Sequence, residues 1–342
     1  MSYDYYLPDT AITSMAVDGK AVYAYVQIMS GALVECEGSL DGNPELYIFE
    51  QHNHVMARFR DKKPLDDAPK LFTPLAAAYL GDARYLFYVD DNNYLRDRYI
   101  SPQARNKWVA GRLFSDRGIK VAQYSKLAAI TVPNRWGTSI CVYYQILGED
   151  AAIESVNFKE GQSRREVDTR RVTDPPPYGT SLTAVLARDG IQLNKAVPFD
   201  PNSSLPVVYL QWHSLELAHA QGKGTVRRME DLKLRFAPHT SLSVVDDISG
   251  LQYFYTSSDD NYVRRVIIKN NGQMEFDTLA TPTPRSALAA VRVKPGKVVL
   301  FYQALEKETS EKVLLFGLTL SHSGGAWDGK PGRPAPPAKE LR

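Results

Sequence analysis

The sequence predicts an all-β chain folded as a single-domain, six-bladed β-propeller. A short strand rich in Ala, Ser and Leu recurs six times, and an alternating apolar and aromatic strand follows each copy after a loop. Six copies of a roughly four-stranded meander, each about 55 residues long, indicate radially repeated blades rather than the two or three domains suggested by length alone. We expect the propeller over residues 9–320 and a Gly/Pro-rich C-terminal tail over 321–342.

The first strand of each unit carries small side chains, as expected where strands crowd around an axis. The six copies are AITSMAV (11–17), PLAAAYL (74–80), KLAAITV (126–132), SLTAVLA (181–187), SLSVVDD (241–247) and ALAAVRV (287–293).

The second strand alternates apolar and aromatic residues, which predicts a half-buried strand. Its copies are YAYVQ (23–27), YLFYV (85–89), CVYYQ (141–145), VVYLQ (207–211), QYFYT (252–256) and VLFYQ (299–303). Asp and Asn clusters then predict a hairpin turn into a third strand, most clearly in 90–100 and 258–268. The clearest fourth strand is NKWVAGRLF (106–114), whereas 164–180 is predicted to be a solvated loop between the third and fourth units.

Charge and composition exclude several classes of function. The chain has 41 basic and 39 acidic residues, so its net charge of +2 is too small for a nucleic-acid-binding surface. No apolar stretch is long enough to span a membrane and no signal peptide is visible, so we expect a soluble, cytoplasmic protein without a membrane partner. The sequon at Asn202 leaves secretion as the alternative. Cys36 and Cys141 are expected to be small buried residues rather than a disulfide.

The run from LFTPLAAAYL through LFYVDDNNYLRD and NKWVAGRLF to SKLAAI and VYYQ resembles the fungal fucose-specific lectins. The resemblance covers about residues 10–318 and is strongest over 70–145. It implies six blades with fucose bound between neighbouring blades. In that family an inner-strand Trp packs on the sugar, while an Arg on the second strand and a Glu on the third bind its hydroxyls.

This chain departs from the family pattern at every Trp and Arg position. The residues matching the Trp are Val17, Leu80, Val132, Ala187, Asp247 and Val293. Those matching the Arg are Tyr23, Tyr85, Cys141, Val207, Gln252 and Val299. The positions matching the Glu hold Glu35, Asp97, Ser155, His219, Arg265 and, with a less certain alignment, Leu315. We therefore expect that the chain does not bind fucose as those lectins do.

The altered positions supply the candidate site residues. Tyr23 with Glu35 and Tyr85 with Asp97 would each place a phenol beside a carboxylate, unless both phenols only pack between blades. Tyr23, Tyr85 and His219 are the candidate catalytic groups, and Glu35, Asp97, Trp212 and Arg265 are the candidate substrate-binding residues.

Two further segments contain histidine side chains. Trp212, His213 and His219 would form a stacking surface with a group that titrates near neutral pH, or else an ordinary exposed hairpin. The HNH segment at 52–54 resembles a metal pair only superficially, so no metal site is expected.

The sequence contains no hydrolytic triad, phosphate loop or dinucleotide fingerprint, so we expect no cofactor. Some fungal lectin-like propellers are hetero-Diels–Alder cyclases of secondary metabolism, and such reactions need orientation and one or two hydrogen bonds rather than a nucleophile. The resemblance thus implies a ligand that is an oxygenated hydrophobic small molecule, and a cyclase of tropolone–sesquiterpenoid biosynthesis. The alternatives are a glycan-binding lectin with degenerate sites and a non-enzymatic interaction propeller; a homodimer is compatible with each.

Overall fold

The structure, a computed structural model, describes residues 5–39, 46–49, 52–61, 63–111, 118–134, 137–148, 151–159, 168–186, 206–213, 216–221, 226–229, 232, 234, 236, 240–257, 259–305 and 312–321. These residues contain 26 β-strands and no α-helix. Among them, nothing has the length and hydrophobicity of a membrane-crossing helix. Ala187, the sequon at Asn202 and residues 322–342 of the predicted tail lie outside the described residues.

The strands follow one another in chain order. Strands β1 to β9 are Thr13–Val17, Ala21–Gln27, Leu33–Ser39, Leu46–Phe49, Asn53–Met56, Phe59–Arg60, Lys63–Pro64, Ala76–Leu80 and Ala83–Val89. Strands β10 to β18 are Leu95–Ile100, Val109–Ala110, Leu127–Asn134, Gly137–Gln145, Ile153–Lys159, Asp168–Arg171, Leu182–Leu186, Pro206–Gln211 and Leu217–Gln221. Strands β19 to β26 are Arg227–Arg228, Leu242–Asp247, Gly250–Thr256, Val263–Ile268, Met274–Ala280, Ala289–Lys294, Lys297–Leu305 and Val313–Ser321.

Six four-stranded antiparallel sheets form the blades. Their strand orders are β1-β2-β3-β5, β8-β9-β10-β11, β12-β13-β14-β15, β16-β17-β18-β19, β20-β21-β22-β23 and β24-β25-β26-β4, and we number them blades 1 to 6. The short hairpin β6-β7 is separate. The number of blades and the six inner strands agree with the sequence prediction, and each inner strand begins within two residues of its predicted start.

The chain divides into two compact units, residues 1–54 with 235–342 and residues 55–234. The first unit holds blades 5 and 6 and most of blade 1, whose outer strand β5 ends beyond the boundary. Blades 2, 3 and 4 lie in the second unit. Within each unit the inner strands of successive blades contact one another, as β20, β24 and β1 do in the first and β8, β12 and β16 in the second.

The outer strand of blade 6 comes from the other end of the chain. Strand β4 pairs with β26 through the Tyr47–Gly317 and Ile48–Phe316 positions, although about 270 residues separate them in sequence. Because β5, the next strand after β4, belongs to blade 1, residues 46–56 supply the outer strands of two blades. Sequence periodicity could not show that β4 and β5 belong to different blades, because both strands are short and follow one another in the chain.

The loop predicted over 164–180 is wrong in part. Residues 168–171 form β15, the outer strand of blade 3, whose Arg170 pairs with Ser155 of β14. An outer strand needs little apolar surface because water covers one side of it, so its polar sequence resembles that of a loop.

A buried hydroxyl precedes the inner strand in five of the blades and binds the end of the second strand of the same blade. Thr180 shows the geometry: its Oγ1 donates to the Gln211 carbonyl at 2.7 Å and accepts from the Gln211 amide at 3.1 Å. The same acceptance of a strand-end amide, at 2.8 to 3.2 Å, links Thr73 to Val89, Ser125 to Gln145, Thr240 to Thr256 and Ser286 to Gln303. We name this repeated pair of residues the hydroxyl clamp.

In several blades the second strand ends in a glutamine, whose side chain hydrogen bonds the backbone of the loop that leads into the next blade. Gln145 of blade 3 donates to the Pro177 carbonyl at 3.1 Å and accepts from the Gly179 amide at 2.9 Å, both in the loop that leads into blade 4. Gln303 of blade 6 donates to the Leu7 carbonyl before blade 1 at 2.9 Å. These glutamines are fully buried, so each bond replaces water that the loop backbone has lost.

The blades pack face on face within each unit. We define the front face of a blade as the one that carries the middle aromatic residue of its second strand, for example Phe87 in blade 2. The front of blade 2 packs against Ile140 and Val142 on the back of blade 3, and the front of blade 3 packs against Val208 and Leu210 of blade 4. Blades 5 and 6, and blades 6 and 1, pack in the same sense.

We predict that replacing Thr180 by Val, which keeps its shape, lowers the free energy of unfolding by about 1–3 kcal/mol, because the Gln211 amide stays buried without its acceptor. Urea denaturation measures this. Thr281→Val, at an exposed position, is the matched control and should change the stability by less than about 0.5 kcal/mol. Equal losses in both variants would show that the clamp hydroxyl does not matter.

Candidate functional site

The front faces share one cross-strand arrangement. A residue of the inner strand, an aromatic residue of the second strand and a variable residue of the third strand lie directly opposite one another. The six sets are Thr13–Tyr25–Glu35, Ala76–Phe87–Asp97, Ala128–Tyr143–Ser155, Thr183–Tyr209–His219, Ser243–Phe254–Arg265 and Ala289–Phe301–Gly317. An aromatic ring, Tyr or Phe, therefore fills the middle of every blade beside a small inner-strand residue, and the third-strand residue varies most in its chemistry.

This register tests the alignment of the site positions. Tyr23, Tyr85 and Cys141, which match the lectin Arg, each stand two residues before the middle aromatic ring of their own blade. The third-strand residue opposite that ring is the one aligned from sequence in blades 1 to 5. In blade 6 the alignment to Leu315 is wrong: Leu315 pairs with Gln303, and Gly317 occupies the position opposite Phe301.

Blade 1 carries two tyrosine–glutamate pairs, but not the predicted combination. Tyr25 is the direct partner of Glu35, and its hydroxyl donates to Glu35 Oε2 at 2.8 Å in the core. Tyr23 lies opposite Glu37 instead and donates to its Oε1 at 3.2 Å. The predicted pair of Tyr23 with Glu35 is wrong by two residues. In the antiparallel register Tyr23 lies opposite Glu37, and Glu35 lies opposite Tyr25. Glu35 is buried, whereas Glu37 is exposed.

Blade 2 also departs from its predicted pair. Asp97 lies opposite Phe87, and Tyr85 lies opposite Tyr99, with the two phenol rings stacked at 5.7 Å and 23°. The Tyr85 ring also stacks on Phe87 at 6.3 Å, so three rings form one row. Tyr85 and Tyr99 are half-buried.

The carboxylate of Asp97 is covered by the outer strand of blade 2. A side chain on Gly111 would overlap this carboxylate, and the Gly111 amide donates to the Asp97 carbonyl at 2.8 Å. A side chain at position 111 would therefore displace the Asp97 carboxylate, which is buried against its own blade and does not face a ligand in solution.

Cys141 of blade 3 stands where the lectins have Arg and is almost fully buried. Burial raises the pKa of its thiol to about 11, although hydrogen bonds with Tyr143 and Ser155 act in the opposite direction. Burial likewise raises the pKa of Cys36 to about 12. Both cysteines are free and neutral at physiological pH, so neither is a nucleophile.

His219 of blade 4 lies against Tyr209, with ring centroids 5.8 Å apart, and opposite Arg227. Burial, assisted by the Arg227 charge, lowers the pKa of His219 to about 4. The prediction of a group that titrates near neutral pH is therefore wrong, because the imidazole is neutral there and cannot supply a proton as an imidazolium. Its Nδ1 is buried and has no hydrogen-bond partner among the described residues.

The predicted group of Trp212, His213 and His219 does not come together. Trp212 follows Leu210 on the back of blade 4 and packs in the cluster shared with blade 3, whereas His219 faces the front. The odd spacing from Tyr209 to Trp212 places them on opposite faces of the strand. His213 contacts Trp212 edge-on at 5.2 Å and hydrogen bonds the Pro175 carbonyl at 3.0 Å.

Arg265 of blade 5, predicted to bind substrate, is held inside its own blade. Its Nε and Nη2 bond one carboxylate oxygen of Asp277 at 2.8 and 2.5 Å, and its Nη1 lies 3.4 Å from Gln252 Oε1. Gln252 continues to Ser249 and through it to Asp247, whose Oδ1 accepts from the Gly296 amide. The guanidinium is buried and its charge is compensated by Asp277, so it is not placed to attract an anionic ligand.

The described residues contain no cluster of three or more side chains able to hold a metal ion. The His52 and His54 rings of the HNH segment lie 5.8 Å apart, and His52 also contacts the Tyr6 ring.

The prediction missed Tyr25, Tyr99, Glu37 and Asp277. Tyr99 had a detectable signal, since a residue two places after Asp97 must share its face of the strand. Asp277 had none, because it lies on a fourth strand whose register no motif marks.

Comparisons with known proteins agree on the architecture. No protein-family model and no curated protein sequence matches the chain. Among solved structures, AofleA from Arthrobotrys oligospora is similar at 17% identity and TM-score 0.68, over 96% of this chain and 87% of that one. SapL1 lectin, solved with alpha methyl fucoside, is similar at 16% identity and TM-score 0.63, over 97% of each chain. The six-bladed fungal lectin of Aleuria aurantia is similar at 17% identity and TM-score 0.61, over 96% of this chain and all of that one.

The chain has the six-bladed β-propeller fold of these lectins. Identities this low establish the fold alone, so the activity must be argued from the side chains. The lectin-like propeller architecture predicted from sequence is thereby confirmed. The predicted side-chain pairs of blades 1 and 2 differ from those in the structure.

We predict that the His219 resonances titrate with a midpoint near pH 4 in the folded protein. Because the pKa is lower in the folded state than the ordinary value of about 6.5, protonation favours unfolding; the contribution of His219 to stability is complete above about pH 6.5 and falls as the pH drops to 4. The measurement is NMR titration combined with urea denaturation from neutral to acidic pH.

His219→Gln should remove that part of the pH dependence, up to about 3 kcal/mol, while above about pH 7.5 the two stability curves should run parallel. A His219 midpoint near 6.5 would contradict the burial that the fold imposes.

Proposed function

We propose that the protein binds an oxygenated, mostly apolar small molecule at the front face of blade 2 and acts on it as a cofactor-independent hetero-Diels–Alder cyclase. The observation that carries the proposal is the Tyr85–Tyr99 stack, which occupies a lectin arginine position with two half-buried phenols. A phenol donates a hydrogen bond to a ligand oxygen without the desolvation cost of a charge.

The surroundings of this stack are apolar. Leu80, Phe87 and Val89 of blade 2 pack against Ile140 of blade 3, with Tyr85 and Phe158 at the partly buried edge of the same cluster. Apolar walls with few polar groups are typical of sites for hydrophobic ligands. They also strengthen any hydrogen bond to a ligand, because little water competes for it.

The chemistry fits what these residues supply. In a hetero-Diels–Alder reaction one C–C and one C–O bond form between an oxygenated heterodiene and an alkene, with no leaving group and no redox change. Phenol donors such as Tyr85 and Tyr99 lower the barrier by binding the heterodiene oxygen, and the apolar wall orients the alkene. Tyr23 is the equivalent phenol of blade 1, while the neutral His219 serves as a hydrogen-bonding group rather than an acid.

The proposal is tested by incubating the protein with a quinone-methide precursor of a tropolone and a humulene-type sesquiterpene. We expect stereoselective adduct formation faster than in buffer. Tyr85→Phe and Tyr99→Phe should each slow turnover by about 10- to 100-fold without unfolding the protein, because each removes one hydrogen bond from a site that works mainly by positioning. Adducts formed no faster and no more selectively than in buffer would reject the cyclase.

A matched control is Tyr5→Phe, since Tyr5 is an exposed phenol on the first unit and far in sequence from blade 2. Its turnover should equal that of the parent protein. A ligand that binds with unchanged affinity to the Tyr85→Phe and Tyr99→Phe variants would place the site elsewhere.

Carbohydrate binding is the second candidate, supported by blade 1 and by the fucose-binding lectins that share the fold. Tyr23 donates to Glu37, and the Glu37 carboxylate is exposed to solvent beside that ring. An aromatic face next to an accessible carboxylate is a minimal sugar-binding pair.

Calorimetric titration with methyl fucoside tests this second candidate. Because the arginine is absent from all six positions, we expect at most one weak site, in the millimolar range or about −4 kcal/mol, that Glu37→Gln abolishes. Several saturable sites, or one that survives Glu37→Gln, would contradict this assignment.

A further inference from the structure

The residue just before the buried hydroxyl that leads into the inner strand adopts a left-handed backbone conformation in four blades. This hydroxyl belongs to the clamp in blades 2, 4 and 6, and to Thr10 in blade 1. The four left-handed residues are Asp9, Phe72, Gly179 and Arg285, with φ between 56° and 71°. Asp and Gly are usual in this conformation, whereas a bulky side chain there is strained by about 1–2 kcal/mol. Phe72 is thus an unfavourable choice for the backbone.

Phe72 is also unfavourable for the surface. Its exposed fraction is 54%, and that of the neighbouring Leu71 is 49%. A bulky side chain at a left-handed position that leaves more than half of its surface in water buries little apolar area in blade 2. Residues of this kind mark a surface that is used for an interaction.

The exposed loop continues into two neighbouring blades of the same unit. Lys70 donates to the Gln123 carbonyl at 2.8 Å, which brings the loop before blade 2 against the loop before blade 3. The Tyr124 ring then lies 4.8 Å from the ring of Tyr178, whose exposed fraction is 57%. The equivalent positions before blades 1 and 6 in the first unit hold the polar residues Asp9 and Arg285.

We name this surface the aromatic loop patch; it comprises Lys70, Leu71, Phe72, Tyr124, Lys126 and Tyr178. Its two ammonium groups are close enough to repel each other, and this repulsion adds to burial in lowering the pKa of Lys70. The Lys70 ammonium also donates to Asn93 Oδ1 at 3.2 Å. The two carboxylates whose charges act on Lys70 are themselves ion-paired, Asp90 with Arg96 and Asp91 with Arg58. The patch therefore combines apolar side chains with two cations that an external anion would relieve.

We propose that the aromatic loop patch docks the protein on an anionic lipid bilayer. Phe72 and Leu71 enter the boundary between headgroups and acyl chains, the two tyrosines lie at headgroup depth, and Lys70 and Lys126 contact lipid phosphates. Leu71 and Phe72 carry no polar side-chain atom, which favours lipid over a glycan. Two lysines in one patch disfavour a second copy of the same patch, since a two-fold contact would face like charges.

This mode of binding needs no spanning segment, so it revises the expectation that a membrane is not a partner. It stands independently of the activity proposed for blade 2, because the patch lies on the loops before the inner strands and shares no residue with the Tyr85–Tyr99 stack.

The test is cosedimentation of the full chain with vesicles of phosphatidylcholine, with and without about 30% phosphatidylserine. Phe72→Asn is the informative variant, because Asn tolerates the left-handed backbone and should keep or raise the thermal stability. We expect it to weaken binding to the anionic vesicles about tenfold, and Lys126→Gln to weaken it about fivefold.

Phe276→Asn is the matched control, since Phe276 is 60% exposed on strand β23 of the first unit. It should bind vesicles like the parent protein. The proposal is overturned by an absence of vesicle binding, by equal binding to neutral and anionic vesicles, or by equal loss in Phe72→Asn and Phe276→Asn. It is also overturned if Phe72→Asn converts a lipid-free dimer into a monomer while vesicle binding persists.

Discussion

The hydroxyl clamp is the interaction on which the blades depend. In blades 2 to 6 a buried Thr or Ser just before the inner strand hydrogen bonds the backbone at the end of the adjacent strand, as Thr180 does for Gln211. Buried glutamines such as Gln145 extend the same network to the loop that opens the next blade. Hydrogen bonds of this kind are directional, so they fix where a blade begins, which apolar packing alone would leave loosely defined.

With the blade ends fixed, the front faces are free to vary at the third strand. Most of these third-strand side chains interact within their own blade. Glu35 accepts a hydrogen bond from Tyr25, Arg265 donates to Asp277, and the Asp97 carboxylate lies against Gly111. Polar groups that would meet a sugar in the lectins have become parts of the core. Blade 2 differs because its phenols remain half-exposed, and this contrast singles out one face from six with the same architecture.

Most of the fold was predictable because both of its signals are local. The small residues of PLAAAYL mark an inner strand and the alternation in YLFYV marks a second strand. Each blade can therefore be recognised from a few dozen consecutive residues. The outer strands were not predictable to the same degree. DTRR within β15 resembles a loop, and β4 joins blade 6 from the opposite end of the chain, a pairing that depends on closure rather than on pattern.

The candidate site residues were likewise predictable in part. Sequence alone determined that the lectin arginines are absent and that uncharged residues, most of them aromatic or apolar, replace them. It also placed Glu35, Asp97 and His219 on third strands, because these are facts of residue identity at recurring positions. Only the tertiary structure decided which groups meet. Register sets Tyr85 against Tyr99 instead of Asp97, and burial makes His219 neutral at physiological pH. Pairing and desolvation depend on strands and neighbouring blades that are distant in sequence, so no local pattern can specify them.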